Sequence, residues 1–349
     1  MRILLATTQV PFVRGGAEVL AEGLRDALVA RGHQAEIVAI PFKWYPPERI
    51  LDSLLACRLL DLSEVCGIRT DLLIGLKFPA YCIPHPAKAL WIVHQHRSAY
   101  DMWAHPMSDL HLYPEGAQVR EAIQQADRKL IPEARVIATI SRNVSRRLQR
   151  YCGIASQPLY NPPAGAGLFH SDGADDYLFF PSRLNRSKRQ DLVLQALALT
   201  GEPVAVCFAG AVEEPAYERE LRELARGLGL AERVRWLGAI SEEEKVERYA
   251  RALGVLFTPF DEDYGYVTLE AMLSSKPAIA CTDSGGPLEF IEPGVTGLLA
   301  DPTAASLAEA MDRLWANRAE ARHMGEAARE RYDAMGISWD HVVAGLLAR

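Results

Sequence analysis

The sequence predicts an α/β protein made of two doubly wound, Rossmann-like parallel-sheet domains, and three observations predict it. Short apolar runs alternate with helical-period segments along most of the 349 residues, the pattern of strands joined by helices that cover both faces of a parallel sheet. The alternation stops once, at Pro158-Leu159-Tyr160-Asn161-Pro162-Pro163-Ala164-Gly165, which continues neither a helix nor a central strand. It then restarts on the same plan. With 49% apolar residues, the chain can bury a large core and is long enough for two domains.

In the first half, residues 3–6, 35–40, 72–74, 90–93 and 136–140 read as strands, with helices over about 16–31 and 142–151. In the second half, strands are expected at 177–181, 204–209, 234–237, 255–258 and 278–280, with helices from 188, near 217–228, from 242 and near 265–275. Thr303 is a plausible N-cap for the mainly helical stretch that follows. The halves share a plan but no repeat of fixed period, which excludes a solenoid. The predicted domains are 1–160 and 161–325, with residues 326–349 forming a terminal helical segment packed back on the first domain. Loops at the carboxyl ends of the strands, and a cleft between two such domains, are the default ligand positions.

The net charge of −7 gives no general attraction to nucleic acid or anionic lipid, so any phosphate must be held by local groups. Six scattered cysteines without a C-x-x-C pair or His-rich spacing read as reduced, mostly buried thiols, not as a zinc site or disulfide framework. Residues 1–8 lack the features of a signal peptide, and no run approaches the roughly 20 apolar residues of a membrane span. The expected compartment is the cytoplasm. The arginines at 142, 146, 147 and 150 make a basic helix that reads as a solvated face or as a peripheral contact with anionic lipid at the inner membrane surface.

Four loops carry chemistry. Gly15-Gly16 follows the first strand and opens a helix, where backbone approaches a ligand and free N–H groups favour an anion; the G-x-G-x-x-G spacing of dinucleotide sites is absent. In Ser182-Arg183-Leu184-Asn185-Arg186-Ser187-Lys188-Arg189-Gln190, a capping box of Ser187 with Gln190 would set Lys188 in the first helical turn. Arg183 faces the same point in that reading, so a diphosphate would meet two cations; a solvated basic loop has the same composition.

The stretch from Asp261 to Glu270 joins an acidic, glycine-containing loop to an apolar helix and sets Glu270 on an apolar face, a costly position unless hydrogen-bonded. The reach between Glu262 and Glu270 is comparable with the distance between the ribose and the sugar of a nucleotide-sugar, one carboxylate to each end; Asp261 and Asp263 alternatively suggest a divalent metal. Finally, Trp91-Ile92-Val93-His94-Gln95-His96-Arg97 runs off a strand end and delivers titratable histidines, with a structural role open for His96.

In this order the pieces resemble glycosyltransferase family 4, retaining enzymes of the GT-B fold. The resemblance runs from Gly15-Gly16-Ala17-Glu18 through Val93-His94, Ser141, the Arg183–Lys188 loop, Phe208-Ala209-Gly210, Trp236-Leu237-Gly238 and Glu262 to Glu270, ending at Ser284-Gly285-Gly286-Pro287-Leu288-Glu289. It implies that Arg183 and Lys188 neutralise the diphosphate of a uridine-, guanosine- or adenosine-linked donor, with Gly16 offering a backbone N–H beside Gly15. Glu270 would bind the ribose, Glu262 with the backbone around Gly265 and Tyr266 would hold the sugar, and His94 would sit at the reacting centre.

The resemblance further implies no bound metal and no other cofactor. Tyr264-Gly265-Tyr266 stands where many members carry Phe-Gly-Leu. The run after His94 also departs from the common loops, leaving His96, Arg97 and Tyr100 as candidate contacts to a glycan, lipid-linked or small-molecule acceptor. The implied activity is transfer to an acceptor hydroxyl with anomeric configuration kept. A nucleotide-sugar epimerase on the same fold and a non-catalytic nucleotide-sugar-binding subunit are the alternatives.

Overall fold

The computed structural model describes residues 1–12 and 15–348. They divide into two compact units: Met1–Ala164 with the segment from Ile337 onward, and Gly165–Gly336. The first unit holds β1 (Arg2–Gln9), α1 (Gly16–Ala30), β2 (Gln34–Pro41), α2 (Glu48–Leu59), the hairpin β3 (Glu64–Val65) and β4 (Ile68–Arg69), β5 (Leu72–Lys77) and β6 (Lys88–His94). It continues with α3 (Gly116–Leu130), β7 (Val136–Thr139), α4 (Arg142–Cys152) and β8 (Gln157–Pro158). Its six-stranded sheet has the order β2-β1-β5-β6-β7-β8, with every neighbouring pair parallel.

The physical causes are local. In α1, Leu20, Ala21, Leu24, Ala27 and Leu28 recur at helical spacing and are the buried face. The Ser141 hydroxyl accepts from the Val144 N–H at 3.0 Å and starts α4. Pro158 lies in β8 at the sheet edge, where its missing N–H does no harm.

The second unit contains β9 (Leu178–Pro181), α5 (Gln190–Leu197), β10 (Val206–Ala209), α6 (Pro215–Gly227), β11 (Val234–Gly238), α7 (Glu242–Arg251) and β12 (Gly254–Leu256). It ends with α8 (Tyr266–Leu273), β13 (Ala278–Cys281), β14 (Gly297–Ala300), α9 (Ala304–Ala316) and α10 (Arg318–Ala334). Its sheet runs β11-β10-β9-β12-β13-β14, again all parallel. Thr303 caps α9 by accepting from the Ser306 N–H at 3.3 Å. Each sheet reverses its winding once: between β1 and β5 in the first unit, and between β9 and β12 in the second. The loops leaving these four strands therefore border the crevices where such sheets hold ligands.

The expected division at 325/326 falls inside α10, where Met324 and Ala328 are both buried. The chain leaves the second unit only at Gly336, whose φ of 62° breaks the helix. The remaining segment forms α11 (Trp339–Leu347), capped by Ser338 and burying Val342, Val343 and Leu346. α11 packs on α1, β6 and β7. The Trp339 ring lies edge-on to Trp91 at 6.1 Å, and the buried Trp91 indole donates to the Leu159 carbonyl at 3.2 Å. The Ala164/Gly165 division lies four residues beyond the expected end of the first domain.

Leu346→Ala should destabilise the first unit by about 2–5 kcal/mol, the range for a truncated core leucine. Native-state hydrogen exchange is the measurement: amides of β6 and β7 should lose protection while those of β9 and β10 keep theirs. Unchanged protection in β6 and β7 would remove α11 from the first unit's core.

Candidate functional site

In the second unit the loops after β9, β12 and β13 are bound together by one side chain. Arg189 occupies the left-handed region at φ 58°, a conformation that costs a non-glycine residue about 1–2 kcal/mol. Its guanidinium donates to the Thr258 carbonyl at 2.7 Å, to the Pro259 carbonyl at 2.8 Å, and in a two-bond fork to the Asp283 carboxylate at 2.8 and 2.7 Å. Charged bonds of this kind are about twice as strong as neutral ones and offset the backbone cost. Backbone bonds complete the weld: Phe260 N–H to the Ser187 carbonyl at 2.8 Å, and Asp261 N–H to the Asp283 carbonyl at 2.9 Å.

This arrangement replaces the expected capping box. Lys188 closes a 3-10 turn, Arg186–Lys188, and α5 begins only at Gln190. The Ser187 hydroxyl donates to Asn185 Oδ1 at 2.7 Å, and the Gln190 amide donates to the Arg183 carbonyl at 2.9 Å. Local bonding of the loop has outcompeted the helix cap.

The structure brings Lys188 and Glu262 together as an ion pair, with side chains 13% and 28% exposed. The Lys188 ammonium also lies 5.5 Å from the Phe257 ring centre. Glu262 is clamped on both backbone sides, its N–H donating to the Ser284 carbonyl at 2.9 Å and its carbonyl accepting from Gly286 at 2.7 Å. Gly265 precedes α8 at φ 105°, and a Cβ there would meet Pro287 at 2.8 Å. Only glycine permits that entry into the helix. Tyr266 opens α8 and stacks edge-on against the buried Tyr264 at 5.0 Å. Arg183 pairs with Glu213 at 3.1 Å, both side chains being partly exposed.

Glu270 is 7% exposed and faces α7. Tyr249 donates to one carboxylate oxygen at 2.7 Å and the Lys245 ammonium to the other at 3.1 Å. Burial pushes the carboxyl up, against the pull of Lys245 and Tyr249. Two protein donors thus meet the carboxylate that the sequence reading reserved for a ribose. Neither Lys245 nor Tyr249 carried a motif signal; helical spacing on α7, four residues apart, was the available clue.

In the first unit, Gly15 is the N-cap of α1 and its N–H donates to the Glu18 carboxylate at 2.8 Å. The Lys77 ammonium reaches Glu18 at 3.4 Å, so a carboxylate and a cation already stand at this helix start. Thr8, near the end of β1, ties that strand to the loop after β5 by donating to the Phe78 carbonyl at 2.9 Å. His94 ends β6, with Nδ1 2.8 Å from the Gln95 carbonyl.

His96 is wedged between the Phe42 and Phe78 rings at 6.1 and 5.6 Å, and burial with the neighbouring His94 lowers its pKa to about 4. At neutral pH it is an uncharged aromatic wedge. Arg97 donates to Asp101 at 2.9 Å. Tyr100 corrects its assignment as an acceptor contact: it is 3% exposed and its hydroxyl donates to the buried Asp127 at 2.7 Å. Aromatic residues in a loop carry no sign of which way they face; here the ring closes the core.

Among the described residues, no three His, Cys, Asp or Glu side chains cluster as metal ligands, and no helix is long and apolar enough to cross a membrane. The six cysteines are unbonded to one another, with Cys57, Cys82, Cys207 and Cys281 buried.

The strain at Arg189 is measurable. Arg189→Ala should cost the second unit about 2–3 kcal/mol through its lost charged hydrogen bonds, whereas Arg189→Gly should be about 1 kcal/mol less damaging because glycine accepts the left-handed turn. Urea unfolding of both variants decides this, and equal losses would mean that the turn stores no strain.

Residues 169–331 match the family model of glycosyl transferases group 1. The chain is 34% identical over 163 residues to the alpha-1,3/1,6-mannosyltransferase ALG2 of Homo sapiens, covering 43% of this chain and 39% of that protein. It is 33% identical over 176 residues to D-inositol 3-phosphate glycosyltransferase of Nocardia farcinica, covering 48% of this chain and 38% of that one. The chain therefore spans less than half the length of these curated relatives.

Among solved structures, sucrose-phosphate synthase from Thermosynechococcus elongatus superposes with a TM-score of 0.78 at 20% identity, over 97% of this chain and 95% of that one. The Anabaena protein HepE, in complex with UDP and glucose, gives 0.68 at 19% identity over 97% and 96%. The two six-stranded parallel sheets, each doubly wound, are the GT-B fold that these neighbours share. The match over residues 169–331 of the second unit to the glycosyl transferases group 1 model agrees with the resemblance to glycosyltransferase family 4 that the motifs carry.

Proposed function

We propose that the chain transfers a sugar from a nucleotide-diphosphate sugar to an acceptor hydroxyl in glycan, glycolipid or glycoside synthesis, keeping the anomeric configuration and using no metal. The observation that carries the reading is the meeting of Lys188, Glu262 and the start of α8 at the winding reversal of the second sheet. A diphosphate needs a fixed cation, a sugar needs a carboxylate that accepts from its hydroxyls, and this corner offers both beside backbone N–H groups. The match of residues 169–331 to the glycosyl transferases group 1 model supports it, as does the UDP-glucose held by HepE, a structural neighbour.

In this reading the donor exchanges partners with the protein. Without donor, Glu262 neutralises Lys188; the diphosphate takes over the ammonium and releases Glu262 to the sugar. As the glycosidic bond lengthens through an oxocarbenium-like state, negative charge grows on the departing diphosphate, and Lys188 with Arg183 stabilises it. Glu270, held by Tyr249 and Lys245, forms the ribose end of the site. In the first unit, His94, Gly15 and Gly16 keep the roles that the resemblance to glycosyltransferase family 4 implies. The exposed Arg142, Arg146 and Arg150 on α4 support peripheral contact with anionic lipid at the cytoplasmic face.

The primary experiment is a thermal-shift screen with uridine, guanosine and adenosine diphosphate sugars, followed by assay of nucleotide release with and without acceptor. Acceptor-dependent release is expected; a new nucleotide-sugar from donor alone would make the protein an epimerase. Lys188→Ala should lower turnover by about 100-fold or more with an unchanged circular dichroism spectrum, and near-normal turnover would remove Lys188 from the site. Glu262→Gln should lose transfer yet bind the bare nucleoside diphosphate more tightly, by up to about 5-fold, the worth of a partly exposed ion pair. Weaker binding of the bare diphosphate, measured by calorimetry, would refute the exchange.

A further inference from the structure

Asp127 is wholly buried on α3, and among the described residues no cation lies within bonding distance of it. It accepts from the Tyr81 hydroxyl at 2.8 Å on one oxygen, and from the Gln95 amide at 2.8 Å and the Tyr100 hydroxyl at 2.7 Å on the other. A buried carboxylate met only by neutral donors is an expensive choice for a core, and burial pushes its pKa up to about 6. Tyr81 comes from the loop after β5, and Gln95 and Tyr100 from the loop after β6, so the carboxylate is the point where the two loops join.

The loop it grips follows His94 directly. The second Gln95 amide hydrogen points to Cys152 Sγ at 3.3 Å, so both amide donors are committed and the side chain has one orientation. Two further bonds come from the same face of α3: Arg120 and Gln124 both donate to the Ala99 carbonyl, at 3.1 and 2.8 Å. Residues 120, 124 and 127 stand at helical spacing and pin residues 95–100 at both ends. The Gln95 carbonyl is thereby fixed 2.8 Å from His94 Nδ1. A carbonyl only accepts, so Nδ1 carries the proton and the neutral ring has its lone pair on Nε2.

We infer that Asp127 is a positioning residue for His94, holding Gln95 so that its carbonyl selects the Nδ1-protonated tautomer and presents Nε2 as the basic atom. The inference rests on the proposed place of His94 at the reacting centre, yet its main readout is independent of activity. Long-range ¹H–¹⁵N spectra of the full chain labelled at histidine should give a single Nδ1–H tautomer for His94 in the wild type. In Asp127→Asn, and in Gln95→Met should the first variant fold poorly, the tautomers should mix. Turnover should then fall by at least about 10-fold while KM for the donor stays within about 2-fold.

Tyr81→Phe removes one bond to the same carboxylate without touching Gln95 or Tyr100, and should keep both the tautomer and the turnover. A single Nδ1–H tautomer in Asp127→Asn and Gln95→Met overturns the inference, as does an equal loss of turnover in Tyr81→Phe. Mixed tautomers with unimpaired turnover would support the positioning and overturn the proposed role of His94 instead.

Discussion

The fork between Arg189 and Asp283 is the constraint on which the second unit's site depends. A parallel sheet aligns strand ends but leaves their loops independent, and loops at strand ends are ordinarily the most mobile part of such a fold. Here one guanidinium gathers the exits of β9, β12 and β13, taking carbonyls from one and a carboxylate from another. Lys188 is the residue before it and Glu262 stands one residue beyond the Asp261–Asp283 backbone bond, so both inherit their places from that fork. The left-handed backbone at Arg189 is the cost of turning Lys188 inward while starting a helix two residues later.

A second regularity concerns charge. The ionisable groups at the strand ends stand in local partnerships: Lys188 with Glu262, Glu270 with Lys245, Glu18 with Lys77. Such pairing limits the desolvation penalty of half-buried charges. It also means that an incoming anion competes with a carboxylate already present, which favours ligands bearing more than one negative oxygen and disfavours simple salts. Asp127 is the exception, a carboxylate kept among neutral donors, and it is the one whose pKa burial shifts furthest toward neutrality in the first unit.

Strands, winding and motif loops were legible because they rest on local patterns. Apolar runs bounded by turns located ten of the twelve sheet strands, and Ser141 and Thr303 announced their helices through capping chemistry. The elements absent from that reading have physical reasons. α2 has little amphipathic contrast, with Ile50 and Cys57 its buried residues, and α3 buries a charged residue, Asp127, on its inward face. The site was legible only where motif and contact coincide, at Lys188, Glu262 and Gly265. Arg189, Asp283, Lys245, Tyr249 and Asp127 matter through contacts between residues distant in sequence; spacing shows at most that Lys245 and Tyr249 share a face of α7, not what that face meets. Tyr100 looked accessible for the same reason: exposure is decided by what packs above a loop.

The return of the chain to the first unit after Gly336 has a consequence for synthesis. Until residues 337–347 have emerged from the ribosome, the apolar faces of α1, β6 and β7 lack the helix that covers them, whereas every element of the second unit is already complete. The half that is made first is therefore finished last, and its exposed core must be tolerated or shielded for the whole time that the second half is being made.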